Sequence, residues 1–472
     1  MPAPRRPELR RSAILLVAAL AAFGMACSRP SSPAGSGEAG TAAPRASGDT
    51  LVLRNFTLID GTDRPPVPDA AMVVEAGRVS WVGAASDLRA PDNATSRDLN
   101  GAFVMPGLMD LHGHLGNTVD LVQDRKFHTR ESAEKDLQTY ASYGVTTVLS
   151  MGTDQDTIFA VRDTQKGGRP SMARVYTAGQ GLMLRGGYGG LAGVNNAVGT
   201  PEEAAAEVNA QIDKGVDIVK LWLDSELETM PPMPPAITQA IIDAAHRRDR
   251  RVVAHVFYLA DAKRLVGQGI DGFVHSVRDQ PVDQALIDAM KQRGTWQVAA
   301  TLSREAVMFA YGSTPAFASD PFFTKGVSQA TLDLIRSPER QKTIASGPNF
   351  KKYPAFFEQA KANLKRLADA GIPYGAGTDA GPPGRFPGYS AHWELELMVD
   401  AGLTPQQTIT AATHRAAEFL KAADLGSLAA GKWADFVVLG ADPLANIRNT
   451  RTIRAVYVAG AEVPSINQAT SK

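Results

Sequence analysis

Eight apolar, strand-like runs alternate with helix-like stretches between residues 106 and 421, and this alternation restricts the fold more than any other feature of the 472-residue chain. Strand then helix, repeated, is the pattern of parallel βαβ units, and eight of them close a (β/α)8 barrel. The run ending at His114 opens the series. Further strands are expected at 145–151, 174–178, 217–223, 251–256, 270–275, 295–301 and 373–378. Helices are expected at 131–143, 157–166, 201–214, 235–247, 260–268, 282–292 and 356–370, and then to about residue 421. On either side, residues 51–105 and 422–472 carry short strands and tight turns, too few in each piece to stand alone. The expected architecture is α/β: a TIM barrel at 106–421 with a small β-sandwich made by both chain ends.

In such barrels the chemistry sits at the C-terminal ends of the strands. His112 and His114 flank Gly113 at the end of the first strand and so project to the same side. Two adjacent imidazoles suit a divalent metal such as zinc, although the same pair also fits ordinary core or surface histidine. Lys220 stands near the end of the fourth strand, His255 ends the fifth, His275 ends the sixth and Asp379 follows the eighth. Each has a plainer reading. The lysine stem can run along the strand, the aspartate can cap a turn, and a strand-end histidine can be a hydrogen-bonded core residue. Six such residues at one end of one barrel point to a shared site. His128, His246, His392 and His414 lack that placement and are expected to be structural or on the surface.

The motifs DLHGHLG (110–116), VKLW (219–222), AHV (254–256), VHS (274–276) and GTDAG (377–381), with the tail 411–444, resemble the amidohydrolase superfamily of metal-dependent hydrolases. The resemblance runs over residues 51–463 and is nearest to the imidazolonepropionase-like and prolidase-like branch. It implies two divalent ions, expected to be zinc. His112, His114 and Asp379 would hold one, His255 and His275 the other, and Lys220, carboxylated on its side-chain nitrogen, would bridge them. A lysine ammonium has no lone pair for a cation, whereas a carbamate is an anionic oxygen donor. Two ions about 3.5–4 Å apart can share a hydroxide of lowered pKa that attacks a polarised carbonyl. The implied catalytic residues are Lys220 and Asp379, the latter passing the proton to the leaving nitrogen. The expected reaction is hydrolysis of a C–N bond in a dipeptide, an N-acyl amino acid or a related carboxamide. The alternatives are an imidazolonepropionase-like hydrolase of a cyclic amide or lactone, and a binding lipoprotein that kept the scaffold without catalysis.

Substrate selection in such folds belongs to the βα loops, of which 179–199 and 303–353 are long. Tyr188 in the first stands where many relatives carry a histidine. Tyr188 and Tyr258 are the candidate substrate-binding residues. Met308, Phe309, Tyr311, Phe322 and Phe323 in the second either line an apolar pocket or pack the loop onto the barrel.

Residues 1–27 lie outside this fold. Arg5, Arg6, Arg10 and Arg11 precede an apolar run at 13–23, too short to span a bilayer. Cys27, the only cysteine, follows it and precludes an intramolecular disulfide. This arrangement resembles a bacterial lipoprotein signal, with a plain secretory signal as the other reading. Ser28 in place of aspartate points to the outer membrane in that pattern. Residues 28–50, rich in Ser, Ala, Gly and Pro, read as a flexible tether. Forty-nine basic residues balance 49 acidic ones, with no long basic run, so the chain offers no nucleic-acid surface. The expected setting is the periplasm or the outer membrane, with membrane attachment only through a lipid on Cys27. The expected partner is a small-molecule amide, and a homo-oligomer is left open.

Overall fold

The first and last described strands belong to one sheet. The computed structural model describes residues 50–166 and 168–464, so Cys27, the signal and the tether up to residue 49 lie outside the described residues. The sheet has seven strands in the order Ala461–Glu462, Ile453–Val458, Phe436–Leu439, Thr95–Pro106, Thr50–Leu58, Val67–Glu75, Arg78–Ala84. Thr95–Pro106 and Phe436–Leu439 run antiparallel, with Phe436 opposite Pro106 and Leu439 opposite Phe103, and this pairing joins the two termini. The hydrogen bonding gives a single continuous sheet. One apolar cluster on it contains Leu53, Phe56, Met72, Val104, Phe436 and Tyr457. A hairpin turns at Ala76 and Gly77, both with positive φ, which matches the twist of its flanking strands.

The middle of the chain forms parallel sheet. Leu108–Gly113 pairs with Val145–Ser150, which pairs with Arg174–Thr177. A second parallel set runs Asn196–Val198, Leu182–Leu184, Val219–Trp222, Val252–His255, Gly272–Phe273, Trp296–Gln297. Asp217 N donates to Thr177 O at 2.8 Å between the two sets. Segment 373–380 bonds on both sides. Gln297 N donates to Pro373 O at 2.9 Å, Leu111 N to Ala376 O at 2.9 Å and His114 N to Ala380 O at 2.7 Å. Amphipathic helices cover the parallel strands, as in Pro201–Asp213, which Thr200 caps and which buries Ala204, Val208 and Ile212. Among the described residues no helix is long and apolar enough to cross a membrane.

Two expectations need correction. The strands expected at 270–275, 295–301 and 373–378 shrink to Gly272–Phe273, Trp296–Gln297 and a single bridge at Tyr374. Side-chain bonds take the place of the ladder there, with Gln297 Nε2 donating to His275 O at 3.1 Å and Ala299 O at 2.7 Å. The long loop at 303–353 is largely helical, with Leu302–Ala310, Pro321–Thr324, Gln329–Arg336 and Pro338–Ala345. Its Tyr311 and Phe323 pack with Tyr143 and Tyr389 in a buried cluster, which Phe322 joins from its edge, so these aromatics hold the insertion to the core.

A buried ion pair ties the terminal sheet to the parallel strands. Arg174 Nε lies 2.7 Å from Asp435 Oδ2, and Nη2 lies 3.2 Å from Oδ1. Asp435 also accepts from Ala459 N at 2.6 Å. Removing either partner would leave an uncompensated buried charge. Asp435→Ala is expected to lower unfolding free energy by about 3–5 kcal/mol in urea titrations. A loss below about 1 kcal/mol, the worth of an exposed pair, would show that this contact does not hold the two parts together.

Candidate active site

Asp379 meets the two histidines of the first strand. Its Oδ1 lies 2.9 Å from His114 Nε2 and 3.6 Å from His112 Nε2, and all three residues are buried. Their ligand atoms lie within 4.8 Å of one another, a spacing that suits one divalent cation. Asp110 builds this arrangement from below. It accepts from His112 N and Thr378 N, both at 3.0 Å, and from Thr378 Oγ1 at 2.6 Å. Gly381 lets the loop pass closely, because a Cβ there would sit 2.0 Å from His114 O on a backbone with φ of 117°. Burial works against the charge of Asp379, but Arg385, His112 and His114 outweigh it and hold the carboxyl well below its usual range.

His255 and His275 complete a row of four imidazoles. The His275 ring lies 4.8 Å from that of His112 and 4.2 Å from that of His255. Their neighbours assign the tautomers. His112 Nδ1 is 3.0 Å from Val274 O, which can only accept, so Nδ1 carries the proton and Nε2 the lone pair. His275 Nδ1 is 2.7 Å from Thr301 Oγ1, whose own proton goes to Ala300 O at 2.8 Å, so His275 has the same tautomer. His255 is reversed. Its Nε2 lies 2.8 Å from the Asp224 carboxylate, which leaves the lone pair on Nδ1. Burial is the leading cause that lowers all four pKa values, with His255 brought to about 4. Near pH 7 the rings are therefore neutral, the form in which imidazole binds metal. Thr301 adopts φ of 53°, a strained backbone for a β-branched residue, and this conformation brings its hydroxyl to His275.

Lys220 is wholly buried on the strand Val219–Trp222, and its Nζ has no hydrogen-bond partner among the described residues. It lies 4.9 Å from the Trp222 ring. Burial drives its pKa down to about 7, with the charge of Asp379 opposing. The Gly-rich loop lies directly over this strand, and a Cβ on Gly189 would meet Trp222 Cγ at 2.4 Å.

The four histidines and Asp379 line a cavity of about 320 Å3 whose other walls include Tyr188, Trp222, Arg304 and Arg385. Tyr188 lies 5.0 Å, ring to ring, from His255. Tyr258 stands apart from these walls, accepting from Ser225 Oγ at 3.0 Å beside the helix Leu259–Gln268. The remaining histidines bond elsewhere: His128 to Thr157, His246 to Asp271, His392 to Thr450 and Tyr143 O, and His414 lies 3.7 Å from Glu418. Asp224, Arg304 and Arg385 escaped the sequence reading. Their one signal is position, because each follows soon after a strand end or motif.

The description of the amidohydrolase family fits residues 103–463 of this chain. The chain belongs to the amidohydrolase family. The imidazolonepropionase of Deinococcus deserti is 27% identical over 427 residues, 87% of this chain and 94% of that one. The imidazolonepropionase of Cupriavidus taiwanensis is 33% identical over a shorter stretch of 134 residues, 28% of this chain and 31% of that one. Among solved structures, a prolidase-like protein of Bifidobacterium longum superposes with a TM-score of 0.68 at 25% identity, covering 88% of this chain and 94% of that one. These likenesses place this amidohydrolase in the imidazolonepropionase-like and prolidase-like branch, among metal-binding hydrolases of carbon–nitrogen bonds, with a TIM-barrel-like α/β fold.

Glu394 anchors one wall of the site. Its carboxylate accepts from Leu302 N at 2.9 Å and from Ser303 N and Oγ at 2.7 Å, which fixes the start of the helix carrying Arg304. Burial pushes Glu394 up to about 7, against the pull of the Ser303 and Leu302 donors. A raised carboxyl pKa contributes stability that is present below the ordinary value of 4.5 and lost as pH rises through about 7. Glu394→Gln keeps one acceptor oxygen and cannot titrate. Relative to that variant, the native protein is expected to lose about 3 kcal/mol of stability between pH 4.5 and 7, read from urea midpoints. Parallel profiles would refute the assignment.

Proposed function

We propose that this amidohydrolase is an exported hydrolase of a C–N amide bond that works with two divalent ions on a dipeptide, an N-acyl amino acid or a related carboxamide. Lys220 carries the reading. A buried amine without a partner, set among neutral histidines and a carboxylate, is an orphan as it stands. Addition of its neutral Nζ to carbon dioxide, with release of one proton, gives an anionic carbamate that a metal can satisfy. His112, His114 and Asp379 would hold one ion, His255 and His275 the other, and carboxylated Lys220 both. Ions of zinc type would supply Lewis-acid activation of water and of the scissile carbonyl.

The chain's own residues do the rest. Asp379 takes a proton from the attacking water and returns it to the leaving nitrogen. Asp224, Thr301 and the Val274 carbonyl hold the imidazoles in fixed tautomers, so the donors need no rearrangement during turnover. Tyr188 and Trp222 wall the cavity and limit its water. The same reading takes residues 106–421 as a closed eight-stranded barrel, supported by the bonds of segment 373–380 to both flanking strands. Residues 51–105 and 422–464 then form an accessory β domain built on the single terminal sheet. A cyclic amide is the second reading, favoured by the near full-length likeness to an imidazolonepropionase.

Metal analysis tests the centre. Two equivalents are expected in the native protein and fewer in Lys220→Ala, with turnover falling on the order of 100-fold or more. Propionate should partly restore both, and Lys220→Arg should not, since a guanidinium is a permanent cation without an acceptor. Unchanged metal content and turnover in Lys220→Ala would overturn the two-ion reading.

Export is supported by the apolar run at 13–23 and by Cys27. Mass spectrometry of membrane-extracted protein is expected to find a diacylglyceryl-modified Cys27 as the first residue. Intact Met1 in the cytoplasm would refute it.

A further inference from the structure

Two guanidiniums line the cavity, and the hydrolytic chemistry leaves most of their N–H donors unused. Arg304 is the third residue of the helix Leu302–Ala310, and Arg385 lies in the loop after Asp379. Arg385 donates from Nη1 to Asp379 Oδ2, and Arg304 from Nη1 to Glu305 Oε1 at 2.8 Å. A guanidinium has five N–H donors. Among the described residues neither side chain forms a second hydrogen bond, and the buried Arg304 Nε, without a hydrogen-bond acceptor, lies 3.7 Å from Asp379 Oδ2. Glu305 cannot answer both cations, because it is also 3.0 Å from the buried Arg278. Asp379 is the one carboxylate among the cavity's lining residues, set against two guanidiniums. In the proposed function that carboxylate belongs to the metal centre, which deepens the shortage of negative charge.

We propose that Arg304 and Arg385 form a recognition site for a carboxylate on the substrate, so that the amide cleaved is an anionic N-acyl amino acid or dipeptide and not a neutral carboxamide. The planar fork of each side chain matches a carboxylate with two parallel N–H···O bonds, and charge-assisted bonds of that kind are strong where water is excluded. The space is adequate for such a molecule. Trp222, Met230 and Pro382 supply apolar wall opposite the polar donors. A purely structural alternative exists, in which the two arginines only steady Asp379. The two differ in what they predict for a substrate without a carboxylate.

The turnover arm of the test rests on the hydrolase reading, and the binding arm does not. In the first, zinc-loaded protein is assayed with N-acetyl-L-amino acids and dipeptides, each against its C-terminal amide. The acids are expected to have kcat/KM at least about tenfold above the amides. Arg304→Gln should lower kcat/KM for the acids at least about tenfold more than for the amides, with the extra loss in KM. Arg304→Lys should recover only part of the loss, because it keeps the charge without the fork. Equal use of acids and amides, or an equal fall in kcat for both in Arg304→Gln, would overturn the proposal in favour of the structural alternative. In the second arm, calorimetry compares 3-phenylpropionate with 3-phenylpropan-1-ol, neither of which has a bond to cleave. The acid is expected to bind at least about tenfold more tightly, and Arg304→Gln should lose that preference while Arg304→Lys keeps part of it, with metal content measured alongside. Absent or equal binding in native protein would refute the site even if hydrolysis is found. A carboxylate preference without any C–N hydrolysis would keep it while refuting the hydrolase reading.

Discussion

The carboxylate of Asp110 is the contact on which the site depends. It joins the histidine strand to Thr378, 268 positions later in the sequence, through three donors at 2.6–3.0 Å. Burial pushes Asp110 up to about 6, against the pull of those donors. A buried carboxylate is tolerated only when such donors surround it. Together with the backbone bonds from Leu111 and His114 to Ala376 and Ala380, this brace holds Asp379 against His112 and His114.

The strand–helix alternation was legible because its periods are local. Side chains that leave a strand end inherit the direction of the strand, which is why His112, His114, Lys220 and His255 could be named from the sequence. His275 sits beyond its two-residue strand and Asp379 lies on a segment paired only by isolated bridges, and there the motif did more than the period. Asp224, Arg304 and Arg385 lie in turns or on a helix whose entry angle no local pattern fixes, so neither the bond of Asp224 to His255 nor the meeting of the two arginines at the cavity could be read locally. The shortened strands had a nonlocal cause, the side chain of Gln297 bonding neighbouring carbonyls. The helices inside 303–353 did leave a signal. Asp320 before Pro321 and Ser337 before Pro338 are capping residues followed by proline at the first helical position. The single terminal sheet was harder, because which strand of one end meets which strand of the other is set by distant partners.

Electrostatically, the site separates its tasks by environment. Burial keeps the imidazoles neutral and favours the neutral form of the lysine. Asp379 keeps its charge because cations surround it. One low-dielectric cleft thereby contains neutral donors, a fixed anion and a surplus of guanidinium, with Lys220 in the site and Glu394 in its wall brought near pH 7.

The first turn of the helix Leu302–Ala310 joins parts that are usually separate. Thr301 fixes the ring of His275, Arg304 faces the cavity three residues later, and Glu394 fastens the backbone between them. Selectivity and metal affinity are therefore not independent properties of this scaffold. A laboratory lineage selected for a new substrate through this helix would drift in its metal requirement as well, and compensating changes would be expected to gather around Glu394 on the neighbouring helix.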